Sequence, residues 1–149
     1  MLERYLAKLE RLVDPNHCAR VRNAYRQVFA WQEPEELPYV WRTLPPIGDH
    51  DWPLFEYNDT FVDRKKMLLA QLASAFFHLQ TQDYLPLAIR ANYGTVILPS
   101  IMGAEYQLTE TSLPWCHHLA DRDAIRRVID AGVPDPRSGL GQTCFETAA

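Results

Sequence analysis

The 149-residue chain predicts an α/β fold: the first few βα units of a partial (β/α)8 TIM barrel, preceded by an N-terminal helical hairpin. Three observations carry that expectation. The first is the stretch from Tyr84 to Tyr106, which changes period midway. Its odd positions Leu85, Leu87, Ile89, Ala91 and Tyr93 are apolar, as one side of a strand requires. Gly94 then supplies a joint, and Val96, Ile97, Ile101 and Met102 read as a short buried helix stopped by Gly103. The second is the alternation of strand-like and helix-like segments, which implies parallel pairing through right-handed crossovers. The third is length, because a complete barrel takes about 250 residues. The chain therefore reads as an opening arc, with residues 145–149 as a helix cut off at its beginning.

Composition narrows the class. Apolar residues make up 47% and charged residues 23%, a globular balance that excludes wholesale disorder. A net charge of −4 without any basic run leaves no electrostatic footprint for nucleic acid. The longest uncharged run, residues 67–82, contains Gln and His side chains and falls short of a membrane span. Glu3 and Arg4 follow Met1 within an amphipathic pattern, which is not that of a signal region. Cys18, Cys116 and Cys144 are odd in number and far apart, pointing to free thiols in a reducing cytoplasm.

Taken in order, residues 1–13 place Leu2, Tyr5, Leu6, Leu9, Leu12 and Val13 on one helical face. Asp14 and Pro15 start a second helix, as N-cap and first-turn proline. That helix turns Cys18, Val21, Tyr25, Val28 and Phe29 inward and Arg20, Arg22 and Arg26 outward, completing a hairpin over residues 1–30. Five prolines at 34, 38, 45, 46 and 53 then forbid a long helix. Within them, residues 38–44 read as a strand with Arg42 near its C-terminal end. Asp49, His50 and Asp51 are metal-ligating types, but consecutive residues cannot all aim at one ion without a special turn, so a solvated loop is the preferred reading. Thr60 and Asp63 frame a capped start for the strongest helix, residues 61–80. Its stripe is Leu69, Leu72, Phe76 and Leu79, and His78 suits the dipole at its C-terminal end. Residues 105–111 alternate as a further strand, and residues 113–119 form a loop. There Cys116, His117 and His118 stand together, but an extended chain aims only Cys116 and His118 the same way, fewer than zinc needs. Asp121 caps a last full helix bearing Ile125, Val128 and Ile129, stopped by Gly132 and Pro134.

The run Val96-Ile97-Leu98-Pro99-Ser100-Ile101-Met102-Gly103-Ala104-Glu105 resembles the uroporphyrinogen decarboxylase superfamily, which also contains the corrinoid-dependent methyltransferases. Members carry, after an early barrel strand, a short helix of the form apolar-apolar-Pro, three residues, Gly, any residue, Glu. Residues 39–42 are similar to the family's first strand, the helix from Phe61 to its first helix, and residues 85–93 to its second strand. The likeness spans residues 37–131, so residues 31–149 are expected to be the N-terminal part of such a barrel domain. It implies decarboxylation or corrinoid-linked methyl transfer on a small acidic or corrinoid-linked substrate, with this portion inactive alone. Arg42 is the nearest match to the arginines with which the decarboxylases hold acidic porphyrinogens, a task that suits a guanidinium. Arg42, Arg90, Asn92 and Tyr93 are the substrate-binding candidates; a plain surface Arg42 and a salt-bridged Arg90 stay open beside that reading. True decarboxylases carry Phe-Ser-Asp where this chain has Asn92, Tyr93 and Gly94. Glycine cannot balance a pyrrolium charge, which points to the methyltransferase-like or an uncharacterised branch. No catalytic residue is assigned and no cofactor or metal is expected in this chain, because the family holds zinc and meets its corrinoid partner through later segments. The unpaired edge of a partial sheet would favour homo-oligomers; neither nucleic acid nor membrane is an expected partner. The alternative is a small complete α/β protein that binds a partner and performs no chemistry.

Overall fold

The computed structural model describes residues 2–41, 51–109 and 112–149. The expected partial barrel is not there. Among the described residues helices dominate, and the one sheet has two strands, Tyr106–Gln107 (β1) and Trp115–Cys116 (β2). These run antiparallel, Tyr106 opposite Cys116 and Gln107 opposite Trp115. A barrel needs parallel neighbours joined by crossovers. The chain is instead a small helical protein whose residues fall into two compact units, Met1–Leu54 with Leu68–Ile89, and Phe55–Met67 with Arg90–Ala149.

In the first unit, Leu2–Glu10 (α1) and Pro15–Phe29 (α2) are helical. Asp14 holds an extended backbone and its carboxylate accepts the Asn16 N–H at 2.9 Å. That satisfies one of the donors a helix start leaves open. Val21, Ala24 and Tyr84 form a buried cluster with Tyr25 packed against it. Tyr5 stacks on Trp52 at 4.4 Å between centroids, and Trp52 meets Phe76 at 5.2 Å.

The two principal strand expectations fail here for a hydrogen-bonding reason. Among the described residues, 85–93 have no sheet partner, and neither does the described part of 38–44, which ends at Trp41. One backbone bond joins the two segments, Tyr84 N–H to the Tyr39 carbonyl at 2.8 Å. The Asp83 carboxylate then takes the Trp41 N–H at 3.1 Å and the Leu85 N–H at 3.0 Å. Those donors are no longer available to a ladder, and Pro86 has none to offer. The alternation of Leu85, Leu87 and Ile89 survives as an exposed apolar row, 37%, 45% and 54% accessible.

In the second unit, the single helix expected over residues 61–80 is two: Tyr57–Val62 (α3) and Arg64–Thr81 (α4). Residues of α4 from Leu68 onward belong to the first unit. Asp63 breaks the run with φ −119° and ψ 107°. Its carboxylate accepts the N–H of Lys65 at 2.8 Å and of Lys66 at 3.2 Å, so the residue read as the far arm of one cap is itself the cap of the next helix. Gly94–Val96 is a 3-10 turn leading into Ile97–Ile101 (α5). Arg122–Asp130 (α6) begins at Asp121, whose carboxylate accepts the Ala124 N–H at 2.8 Å. Leu140–Ala148 (α7) starts earlier than the sequence pattern indicates, because Leu140 and Gly141 are already helical.

The start of α7 locks onto α5. The buried Ser100 hydroxyl donates to the Ile97 carbonyl at 2.8 Å and accepts the Leu140 N–H at 3.0 Å. Ser138 Oγ donates to the Ile101 carbonyl at 2.8 Å. Glycine makes this approach feasible: a Cβ on Gly139 would run into the Ser100 carbonyl, and one on Gly141 into that of Pro136. Leu140 thereby joins Phe61, Met67, Tyr93 and Val96 in the unit's core. Gly141→Ala is expected to lower stability by about 1–3 kcal/mol through overpacking. Gly132→Ala, where nothing stands within 4 Å of the added carbon, should cost only about 1 kcal/mol of left-handed backbone strain. Urea denaturation of the two variants checks the order.

Candidate functional site

Of the four expected substrate-binding residues, Arg42 lies outside the described residues, as do Asp49 and His50 of the loop. Arg90, Asn92 and Tyr93 all fall in the second unit, on the run that enters the 3-10 turn. Tyr93 is 2% exposed, sets its ring edge-on to Phe61 at 5.0 Å, and pairs its hydroxyl with Thr147 Oγ1 at 2.8 Å. It is therefore a core residue tying α7 down. Asn92 is half-buried, with its backbone N–H 3.2 Å from Met67 Sδ.

Arg90 is exposed and close enough to Tyr57 for its charge to act on that phenol. Burial pushes the Tyr57 hydroxyl above its ordinary pKa, and the Arg90 guanidinium opposes the shift. The same hydroxyl faces Gly94, where an added Cβ would stand 2.6 Å from it. Gly94 has φ +67°, a conformation that disfavours side chains. Glycine at position 94 is thus demanded locally, by backbone and by neighbour. Tyr57 was the residue that sequence reasoning missed; an unfilled position at Gly94 was its only trace. Arg90 and Tyr57 are both hydrogen-bond donors, one permanently charged, which suits a carboxylate of a ligand.

The Cys116–His118 loop points elsewhere. Cys116 Sγ lies 4.0 Å from the Val96 carbonyl and packs on the core. The His117 N–H donates to the Glu105 carbonyl at 2.9 Å, and its ring leans on Trp115 at 5.2 Å. Among the described residues no three His, Cys, Asp or Glu side chains gather as a metal site would require. No helix among them is long and apolar enough to cross a membrane.

Comparison with family models, with curated proteins and with solved structures yields no match.

Burial raises the thiol pKa of both Cys116 and Cys144. A raised pKa means less thiolate at a given pH, and thiolate is the nucleophile. Iodoacetamide at pH 8 should therefore label both more slowly in the folded chain than in urea, with rates climbing as pH rises. Peptide mass spectrometry gives the site-by-site rates; equal rates in the two states would contradict the burial of these thiols.

Proposed function

We propose that this chain is part of a uroporphyrinogen decarboxylase-like enzyme, one that grips a small acidic substrate and does not turn it over alone. The observation that carries the reading is the run 96–105. Pro99 lies within the short helix α5, and Gly103 follows it with φ +88° before Glu105, as the family's apolar-apolar-Pro, Gly, Glu pattern requires. No barrel supports it, so the proposal rests on that motif and on the donor pair formed by Arg90 and Tyr57. Gly94 in the aspartate position favours the methyltransferase-like or an uncharacterised branch over true porphyrinogen decarboxylation. Zinc and a corrinoid partner would belong to other segments of such an enzyme. A cytoplasmic setting is part of the proposal and is supported by three free cysteines.

Under this reading a polycarboxylate such as uroporphyrin binds at low ionic strength and quenches tryptophan fluorescence. Arg90→Gln should weaken it about five- to tenfold, equivalent to roughly 1–1.4 kcal/mol, and Tyr57→Phe by less. Arg26→Gln should leave binding unchanged. Identical titrations for wild type and Arg90→Gln would remove the basis for the acidic-substrate assignment.

A second reading, a non-catalytic partner-binding protein, is favoured by the exposed row Leu85, Leu87 and Ile89 on a segment without a sheet partner among the described residues. Such a segment can accept an added strand. Replacing Leu87 and Ile89 by Thr would abolish partner capture on this reading and leave porphyrin binding intact.

A further inference from the structure

The first unit holds a cavity of about 280 Å³ between α2, the end of α4 and the extended segment after it. A single water needs only about 10–15 Å³ of such space, so it has room for a small organic molecule. Val21, Leu79, Leu85, Pro86 and Leu87 supply an apolar wall. Polar groups enter it from two sides. Arg22 lines it as an exposed guanidinium that makes no ion pair among the described residues. Opposite in sequence stands His78, whose side chain is only 11% exposed.

The hydrogen bonds fix the chemistry of that imidazole. His78 Nδ1 lies 2.6 Å from Oδ2 of Asp83, whose side chain is completely buried. A carboxylate only accepts, so Nδ1 carries the proton and donates. In the neutral ring Nε2 is then left with a lone pair, and it has no hydrogen-bond partner among the described residues. Nε2 is also not among the buried polar atoms left without a partner, so it reaches open space. His17 is set in the opposite sense. Its Nε2 lies 2.9 Å from the Asp83 carbonyl and must donate, while Nδ1 faces Arg20 at 3.4 Å. One residue, Asp83, therefore engages two histidines and leaves a single ring nitrogen available. A carboxylate holding a histidine in one tautomer is the arrangement used where imidazole must meet a ligand.

We propose that this cavity binds a small apolar carboxylic acid carrying one hydroxyl group: Arg22 pairs with the carboxylate, the aliphatic body fills the apolar wall, and His78 Nε2 accepts the hydroxyl proton in a hydrogen bond. Asp83 is a positioning residue for His78. The site is separate from the Arg90–Tyr57 pair and stands or falls without it.

Titration calorimetry on the full chain with 2-hydroxyisocaproate, isocaproate and the neutral isocaproamide tests it. The hydroxy acid should bind at least fivefold more tightly than isocaproate, and the amide should not bind. Arg22→Gln, at an exposed position, should cost tenfold or more for both acids. His78→Gln should remove the advantage of the hydroxy acid over isocaproate. In nitrogen-15 histidine spectra, the Nε2 resonance of His78 should move on adding the hydroxy acid while those of His17 stay in place. Absence of binding by both acids, equal binding of acid and amide, or an Arg22→Gln variant with unchanged affinity would each overturn the proposal.

Discussion

The buried carboxylate of Asp83 is the constraint on which the first unit depends. A fully desolvated charge is tolerated only when its oxygens are occupied. Here Oδ1 takes the Leu85 N–H, and Oδ2 takes both the Trp41 N–H and the His78 ring. The backbone carbonyl adds His17. Histidine rings from two helices and backbone N–H groups from two extended segments thus converge on one residue. The turn that delivers it is unusual: α4 ends at Thr81, and Gln82 follows with φ +50°, a left-handed position normally left to Gly or Asn. Its side-chain amide donates back to the Leu79 carbonyl at 2.7 Å, holding the conformation that aims Asp83 inward.

The second unit is organised by a steric condition instead. Ser100, Gly139 and Gly141 let α7 begin against α5, and the contact brings Leu140 into the core beside Tyr93 and Val96. Tyr93 answers from the other end of α7 through Thr147. Residues 97–101 therefore lie where α5 and α7 are fitted together. Ser100 is held by packing, while Arg90 stays accessible beside the half-buried Tyr57 phenol.

Capping chemistry was legible in the sequence because it is local. Asp14 and Asp121 start helices, and Gly103 and Gly132 follow helix ends with positive φ. The strands were not legible, although the alternation behind them is real. Side-chain period reports which residues could share a face; it says nothing of where N–H groups go. Asp83, which no periodic pattern singles out, captured two of them. Asp63 misled for a related reason: a carboxylate three residues into a helix and one at its start look alike in sequence. Within the candidate site, Arg90 stood out by charge, whereas Tyr93 went to the core because the 3-10 turn at Gly94 redirects the chain immediately after it. Tyr57 is brought to Gly94 by tertiary folding and left no periodic mark. His78 reads as a helix-end residue until Asp83 is seen beside it.

The bare row of Leu85, Leu87 and Ile89 has a cellular corollary. Extended, apolar and outside any sheet among the described residues, it offers a holdase chaperone the kind of surface it grips on an unfolded chain, although the helices around it are formed. Binding of that sort withdraws molecules from the working pool. The abundance of this protein in a cell would then follow how quickly that ribbon becomes covered, more than how firmly its helices resist melting.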